Sequence, residues 1–356
     1  MYDDIISLWD IATSIDPTVR SRKKDIPALL KKRVRAERYS RAHLFSRMAA
    51  GRVCLFNDFP VPIRNGTHQK ISCLLQGIEI SFPAPFLTEV QAGRSRRRYK
   101  VSVAELVNQW KRARAIISVT DLHFRGTRFY ELVNTSYLSD FNILCNDRKF
   151  GAELMEQLEM MTLVISSKGN VTDNHTDDCD GSNHCFAGKK LWLAWDRMEG
   201  RARGFEDVDR DSVIDAAAFD MKDFLSMESS RWFTVGENET LFLPGSLTHK
   251  VITLEPYLGL GSFHVALPGY IRSLKRWILY DTLDIEPKKL IDKINDAVIR
   301  RIRRLQDSSH RTREHWGLRE MRKSIALWKK SESMEIKDSL LRHPLFASFY
   351  KSAIKA

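Results

Sequence analysis

The 356-residue sequence has no run of about 18 consecutive apolar residues, so we expect no membrane-spanning helix. It begins MYDDIISLWD, which is acidic where a secretory signal would be basic and then apolar, and this argues against such a signal. Cysteine is scarce: the five residues are scattered, odd in number, and include no Cys-x-x-Cys pair. This pattern argues against a disulfide framework and predicts reduced thiols in an intracellular protein.

Positive charge is in excess, with 57 Lys and Arg against 45 Asp and Glu and a net charge of +12. Much of the excess lies in three segments: RSRKKDIPALLKKRVR (20–35), RSRRRYK (94–100) and RRIRRLQDSSHRTR (300–313). Such clusters favour contact with nucleic acid, nucleosomes or another anionic surface, although solvated helix faces are the alternative interpretation. KKRVR (31–35), preceded by RKK (22–24), also resembles a nuclear import signal. We therefore expect a nuclear protein, or otherwise a cytoplasmic one.

Short β-rich segments separated by turns occupy the middle of the chain: MTLVISS (161–167), KLWLAW (190–195), TLFLP (240–244), KVITL (250–254) and LGLGSFHV (258–265). This texture is typical of an antiparallel sandwich or barrel. The flanking regions have helical character. The predicted fold class is therefore a mainly β core with flanking helices. The predicted division is a basic helical region at 1–68, a β domain at 69–275 and a basic helical region at 284–356.

Three features support the helical predictions. Ile5, Leu8 and Ile11 recur near helical spacing in the first segment. SVAELVNQWKRAR (102–114) begins with Ser followed three residues later by Glu, a capping box that predicts a helix start. A long apolar stripe with Pro287 in its first turn predicts a helix that packs on the β core or on a second subunit. Its members are Leu290, Ile294, Val298, Ile302 and Leu305.

The segment TDNHTDDCDGSNHCFAGKK (172–190) concentrates possible metal ligands, and three interpretations compete. Structural zinc would use His175, Cys179, His184 and Cys185, but their spacing lacks the usual paired knuckles. Calcium would use the aspartates, but the segment lacks the bidentate acid that ends an EF-hand loop. The third interpretation is a His-x-Asp pair, His175 and Asp177, whose side chains share one side of an extended strand.

A His-x-Asp pair needs a distant histidine to complete a site, and His249 follows a strand and a Pro-Gly turn. Two imidazoles and one carboxylate leave adjacent positions open, which suits Fe(II), a chelating cosubstrate and O2. Lys190, at the start of a strand, and Thr172, three residues before His175, can bind the far carboxylate of 2-oxoglutarate. Asp178 or Asp180 could replace Asp177, but neither lies two residues after a histidine.

The remaining polar and aromatic candidates have simpler interpretations. His264 could replace His249, but its position within a strand is more typical of a packed core histidine. Cys179, His184 and Cys185 are interpreted as residues of the site's rim, with His184 as an alternative substrate contact. Trp192 and Trp195 alternate on a strand, which favours a place in the core over an aromatic cage.

The run TLVISSKGNVTDNHTDDCDGS…GKKLWLAW…ETLFLPGSLTHKVITLEPYLGLGSFHV resembles the Jumonji-C (JmjC) oxygenases, most closely the histone lysine demethylases that carry PHD or CXXC fingers. The similarity covers roughly residues 90–275. It implies a double-stranded β-helix (a jelly roll, cupin-like) that uses Fe(II), 2-oxoglutarate and O2. The residues that match the family's motif are His175, Asp177 and His249 for the metal, and Thr172 and Lys190 for the cosubstrate. Ser262 occupies a further cosubstrate-binding position of the family with a different residue type.

Three departures from the family pattern lie toward the substrate side. Asn183 stands where the family tends to have an aromatic residue, and Ser262-Phe263 replaces an asparagine-phenylalanine pair. The loop after Asp177 is also about two residues shorter than in the family. The substrate is therefore less well defined by the resemblance than the metal chemistry is.

The resemblance implies hydroxylation of a C–H bond, with N-methyl-lysine of a histone or another protein as the expected substrate. A hydroxylated N-methyl group collapses to formaldehyde and the demethylated amine. Asp178 and Asp180, with Asn183 and His184, are expected to form a polar rim that meets a basic tail. A stand-alone oxygenase acting on a small molecule is the alternative, because the sequence carries no PHD or CXXC finger. A catalytically inactive reader is a third possibility, against which the intact triad argues.

Overall fold

The structure is a computed structural model, and it describes residues 2–60, 78, 87–92, 98–112, 116–124, 140–147, 161–177, 179–205, 219–280 and 287–355. Within these residues, helices come first, an antiparallel sheet dominates the middle, and helices come last. The predicted sheet with flanking helices is thereby confirmed. The predicted domain boundary at residues 68 and 69 lies outside the described residues.

The strands found among the described residues are β1 (Cys54–Phe56), β2 (Leu87–Ala92), β3 (Arg98–Ser102), β4 (Ile117–His123), β5 (Met161–Ser166), β6 (Val171–Thr176), β7 (Asp180–Asp196), β8 (Arg231–Val235), β9 (Thr240–Leu243) and β10 (Leu247–His264). They form one antiparallel sheet in the order β1-β9-β7-β10-β5-β4-β2-β3, with β6 added to β10 and β8 added to β7. Each of the five β-rich segments predicted from the sequence lies mostly or wholly in a strand.

The two long strands, β7 and β10, join two parts of the sheet. β7 pairs with β9 through residues 181–184 and with β8 through residues 190–194. β10 pairs with β6 near its start and with β5 near its end. Between these halves the β7–β10 register is irregular, and a Cβ at Gly188 would lie 1.9 Å from the carbonyl oxygen of Pro256. Glycine is therefore required where the two backbones approach each other.

The helices of the described residues are α1 (Tyr2–Ile15), α2 (Ile26–Lys32), α3 (Arg41–Ala49), α4 (Val103–Arg112), α5 (Arg197–Arg201), α6 (Met221–Ser226), α7 (Tyr270–Tyr280), α8 (Pro287–Gln306), α9 (His310–His315), α10 (Leu318–Ser331), α11 (Met334–Arg342) and α12 (Pro344–Lys355). None of them is both long enough and apolar enough to cross a membrane.

Helix α1 covers one face of the long strands. Ile5, Trp9 and Ala12 are buried at helical spacing and belong to an apolar cluster that includes residues of β7 and β10. The predicted helix is confirmed, but its buried face is shifted, because Ile11 is 41% exposed. This packing places the N-terminal region behind the middle of the sheet.

The predicted start of α4 is also confirmed. The backbone N–H of Glu105 donates to the hydroxyl of Ser102 over 3.2 Å, and the helix begins at Val103. A serine hydroxyl at this position satisfies one of the amides that a helix start leaves without a partner.

The apolar stripe of α8 packs within its own chain. All five predicted residues are buried, in a cluster with α7, α10 and α12. Burial of each such side chain contributes roughly 1.5–3 kcal/mol. Asn295 links the layer, because its side-chain oxygen accepts from the hydroxyl of Tyr270 over 3.0 Å and its amide donates to the carbonyl of Leu345 over 3.1 Å. The C-terminal helices thus form a layer whose apolar core also includes residues from outside them, among them Leu144 and Val265.

Candidate metal centre

Three potential ligands come together where β6 ends beside the start of β10. His175 pairs with His249 in the antiparallel ladder, and their ring centroids are 4.0 Å apart. The Oδ2 atom of Asp177 lies 3.8 Å from Nε2 of His249. One ligand atom from each of the three residues falls within 4.8 Å of the others, so the group could hold a metal ion. Among the described residues, no other group of His, Cys, Asp and Glu satisfies this condition.

Hydrogen bonds to backbone carbonyls orient both imidazoles. Nδ1 of His175 lies 2.7 Å from the carbonyl oxygen of Asp173, and Nδ1 of His249 lies 3.3 Å from that of Leu247. A carbonyl oxygen can only accept, so Nδ1 carries the proton in each ring. In the neutral form of each ring the lone pair is then on Nε2, where it can bind a cation, which is the usual arrangement of metal-binding histidines.

Apolar and aromatic side chains surround the group on the face of β10 that carries His249, Val251 and Thr253, called here the His249 face. Trp192 stacks on His249 with ring centroids 5.3 Å apart, and Phe233 stacks on Trp192. Trp192 belongs to an apolar cluster of buried residues on the His249 face, and Trp195 belongs to a separate apolar cluster on the opposite face of the sheet. The prediction that both tryptophans belong to the core is confirmed.

The ladder brings Thr172 and Lys190 to the same face as the metal ligands. After His249, the next residue of β10 on the His249 face is Val251, which is paired with Thr172 of β6 and with Trp192 of β7. The residue after that on the same face is Thr253, which is paired with Lys190 of β7. Because paired residues project from the same side of a sheet, the two predicted cosubstrate residues follow the metal group in order.

Lys190 is a buried cation without a carboxylate partner among the described residues. It is 3% exposed, and Nζ lies 4.5 Å from the centre of the Tyr257 ring. Burial lowers the pKa of Lys190 to about 7, an effect that the nearby Cys185 opposes. Burial of a charge without a partner costs stability, so the position is suited to an anionic ligand.

Asn183 occupies the place where the resembled family tends to have an aromatic residue. It is buried, and its side-chain oxygen accepts a hydrogen bond from the hydroxyl of Tyr257. Tyr257 in turn lies beside Lys190, so an aromatic ring from β10 is present near this part of the His249 face.

The structure does not bring Ser262 to the metal group. A Cβ at Gly181 would lie 3.6 Å from Oδ2 of Asp177, so Gly181 faces the metal group. Phe263 is paired with Gly181 and therefore lies on the His249 face, as does Gly261 two residues before it. The side chain of Ser262 therefore points to the other side of β10, where Leu260 is part of a different apolar cluster. Its contact with the cosubstrate stays a prediction.

Asp180 does not form an open acidic rim, so that prediction is wrong for this residue. The residue is 3% exposed, and its carboxylate accepts from the backbone N–H of Gly245 over 3.1 Å and lies 3.8 Å from Arg272. Burial raises the pKa of Asp180, although Arg272 acts against this. Asp178 lies outside the described residues.

The remaining candidates of the segment are buried in the sheet or close to it. Cys179 and Cys185 are 6% and 0% exposed, so the prediction that they form the rim is wrong. His184 is 1% exposed and within 2.7 Å of the hydroxyl of Thr240, and burial lowers its pKa to about 4. His264 is buried within 2.8 Å of the hydroxyl of Ser182, as expected for a core histidine. The four residues of the zinc interpretation are not brought together.

A buried ionic network behind the histidines was missed in the sequence. Nζ of Lys250 lies 3.0 Å from a carboxylate oxygen of Asp16 and 3.0 Å from one of Asp173. Burial raises the pKa of Asp16, but Lys250 and hydrogen bonds from Thr18 outweigh it, so the pKa lies below 3.8. The network attaches the N-terminal region to Lys250, which directly follows His249, and to Asp173, which lies two residues before His175. The only sequence signal was a lysine directly after His249.

The predicted import segment is docked against β8 and is not a free tail. Lys32 donates to the carbonyl of Met227, and the guanidinium carbon of Arg33 lies 5.3 Å from the centre of the Trp232 ring. Lys31 and Arg35 remain exposed. Nuclear localisation stays a prediction, and an import receptor would meet a segment held by the fold.

Comparison with protein-family models and with curated proteins gives no match for this chain. The features of the chain that point to a function are therefore those of the site itself: a His-Asp-His group and a buried lysine on one face of an antiparallel sheet.

Proposed function

We propose that the chain is an Fe(II)- and 2-oxoglutarate-dependent oxygenase of the JmjC type. The observation that carries the proposal is the placement of the His175, Asp177 and His249 group and of buried Lys190 on one face of the sheet. A two-histidine, one-carboxylate donor set is typical of Fe(II) oxygenases. Lys190 lies further along the same face, buried and without a carboxylate partner in the part of the chain that the structure describes, and it fits the far carboxylate of a dicarboxylic cosubstrate.

We further propose that the two parts of the sheet close into a double-stranded β-helix. The support is that β7 and β10 each pair with different strands in their two halves. Such long, bent strands can belong to two facing sheets and enclose the His249 face between them. The apolar cluster on that face would then be the interior of the barrel.

The donor set fits the metal, and each ligand has a distinct task. His175 and His249 would bind through Nε2, because their Nδ1 protons are used by backbone carbonyls. Asp177 supplies the negative charge, and at 25% side-chain exposure it borders the more open side of the group. With 2-oxoglutarate and O2, bound Fe(II) supplies the oxidising chemistry that converts a substrate C–H to C–OH with release of succinate and CO2.

The other residues of the His249 face bind the cosubstrate and exclude water. Lys190 donates a charge-assisted hydrogen bond to the far carboxylate, and Thr172 can donate its hydroxyl to the same group. Trp192 and Phe233 form an apolar wall beside His249, which strengthens these electrostatic interactions by lowering the local dielectric constant.

For the substrate, we propose N-methyl-lysine in a histone or another protein, with formaldehyde as the second product. The support is the resemblance and the net charge of +12, with exposed Arg303, Arg304 and Arg311 on the C-terminal helices available to nucleosomal DNA. These contacts would place the enzyme on chromatin in the nucleus.

The test is a turnover assay of the full chain with Fe(II) and ascorbate. Succinate formation from 2-oxoglutarate is measured first without substrate, and then with methyl-lysine histone peptides while formaldehyde is followed. We expect slow uncoupled succinate formation that a methylated peptide stimulates with equal release of formaldehyde.

Two outcomes would change the proposal. If no 2-oxoglutarate is consumed under any condition while the protein binds metal, the oxygenase assignment is wrong. If an amino acid or another small molecule stimulates turnover and no methylated peptide does, the substrate is a small molecule and the chromatin interpretation fails.

A further inference from the structure

One arginine of α7 joins the two chain segments that carry Asp177 and His249. The side chain of Arg276 belongs to a residue that is only 6% exposed. Its Nη1 donates to the carbonyl oxygen of Gly245 over 2.7 Å, and its Nη2 donates to that of Thr176 over 3.1 Å. A single guanidinium thus bridges two backbone segments that are distant in sequence.

Both carbonyls belong to segments that lead into a metal ligand. Thr176 is the last residue of β6 and directly precedes Asp177. Gly245 lies in the turn closed by the hydrogen bond from Leu247 N–H to the Pro244 carbonyl, just before β10 presents His249. The distance between the two ligands therefore depends on how these segments are held.

A second contact tightens the same region. Asp180 accepts from the N–H of Gly245, so this residue is held at both its N–H and its carbonyl. A Cβ at Gly245 would lie 2.5 Å from the carbonyl carbon and oxygen of Cys179, which shows that the two backbones are in contact. Arg272, one helical turn before Arg276, lies 3.8 Å from Asp180. Helix α7 therefore contributes two arginines to the ligand-bearing segments.

We propose that Arg276 is a positioning residue of the metal centre, which sets the separation of Asp177 from His249. The inference rests on the proposed function only in requiring that the three-residue group binds a metal. A guanidinium is a rigid planar fork that can serve two carbonyls at fixed angles, whereas a lysine ammonium is a compact charge at the end of a flexible stem. Loss of residues that orient ligands typically costs about 10- to 100-fold in metal affinity.

The experiment is a titration of the metal-free full chain with Mn(II), in which free Mn(II) is followed by its electron paramagnetic resonance signal. Wild type is compared with Arg276→Lys and Arg276→Gln. The matched control is Arg300→Gln, which removes an arginine of α8 that is paired with Asp147 over 3.1 Å instead of holding a ligand segment. Thermal unfolding of each metal-free variant is measured in parallel.

We expect both Arg276 variants to raise the Kd for Mn(II) roughly 10- to 100-fold, in line with other outer-shell substitutions. The Arg300 variant should bind Mn(II) like wild type even where its unfolding temperature falls. If Arg276→Lys unfolds at a lower temperature but binds Mn(II) with wild-type affinity, the arginine is merely structural and the proposal is overturned.

Two further results keep the test decisive. If neither Arg276 variant folds, Arg272→Lys loosens the contact through Asp180, and an unchanged Mn(II) affinity in that variant overturns the proposal. If wild type binds no Mn(II), the metal centre and this inference both fail. Mn(II) binding by wild type without any 2-oxoglutarate turnover by the Fe(II)-loaded protein would refute the oxygenase activity alone.

Discussion

Replacement of Lys190 by methionine should make the ligand-free protein more stable and the binding of 2-oxoglutarate weaker. Lys190 is 3% exposed, lies against the ring of Tyr257 and has no carboxylate partner among the described residues. Methionine has a similar length and fills the same space without a charge. The two effects have opposite signs, which an ordinary packing residue would not produce.

The magnitude follows from the cost of burying the charge. A pKa of about 7 instead of 10.5 corresponds to roughly 4–5 kcal/mol against the protonated form, at about 1.4 kcal/mol per pH unit. Methionine avoids this cost but loses the attraction to Tyr257, so we expect a gain of roughly 1–3 kcal/mol in the free energy of unfolding. The lost charge-assisted hydrogen bond, worth roughly 1.5–3 kcal/mol, should raise the KM for 2-oxoglutarate on the order of 10- to 100-fold.

The dependence on pH supplies a second measurement. Because the folded pKa of Lys190 is lowered to about 7, its destabilising effect is full below pH 7 and disappears as the pH rises toward the unfolded value of 10.5. The stability gained by methionine should therefore shrink across this window. In wild type, the KM for 2-oxoglutarate should rise above pH 7, because Lys190 of the ligand-free enzyme loses its proton there. The Lys190→Met variant should lack this rise.

The assays are chemical unfolding of the metal-free protein and succinate formation at varied 2-oxoglutarate concentration. Lys250→Met is the matched control, since Lys250 is equally buried but paired with Asp16 and Asp173. Its loss leaves two carboxylates uncompensated and should destabilise by about 3–5 kcal/mol. A Lys190→Met variant that is less stable than wild type and has an unchanged KM would refute the assignment of an anion-binding lysine.

Three further predictions follow from the site and the surface. Asp177→Ala should abolish metal binding and succinate formation while far-ultraviolet circular dichroism stays native; retained turnover would refute the ligand assignment. The pKa of Asp16 in the folded protein lies below its unfolded value of 3.8, so ionised Asp16 contributes stability above pH 3.8 that is lost as the pH falls through the folded pKa. Asp16→Asn should therefore make the free energy of unfolding, measured in urea, depend less on pH in the acid range. Replacement of exposed Arg303, Arg304 and Arg311 by Gln should reduce the salt dependence of duplex DNA binding by about 0.9 in log–log slope per lost phosphate contact; an unchanged slope would exclude this surface.

Local sequence patterns were sufficient to predict those elements whose structure depends only on a few neighbouring residues. The β-rich segments, the Ser102 cap and the stripe of α8 depend on strand propensity, one hydrogen bond and helical periodicity, which are all readable over a few residues. The His-x-Asp pair and the distant His249 were likewise found from spacing and neighbouring turns. The structure brings them together as a possible metal site.

Packing between distant segments decided the rest. Whether Asp180 faces solvent depends on Gly245 and on α7, and whether Ser262 faces the metal group depends on the register of β10 against β7. Bulges such as those between Thr253 and Gly259 change which side of the sheet the following residues face, so spacing along the sequence alone does not determine the side. Alternation along the sequence therefore could not assign Ser262 to a face.

The sequence alone determined the chemical types available: two histidines, an aspartate, a lysine and an excess of positive charge. Only the tertiary structure decided which of these are partners. It paired Lys250 with Asp16 and left Lys190 without a carboxylate among the described residues, although both lysines lie on strands of the same sheet. The physical reason is that the energy of a buried charge is set by neighbours that the fold brings from elsewhere in the chain.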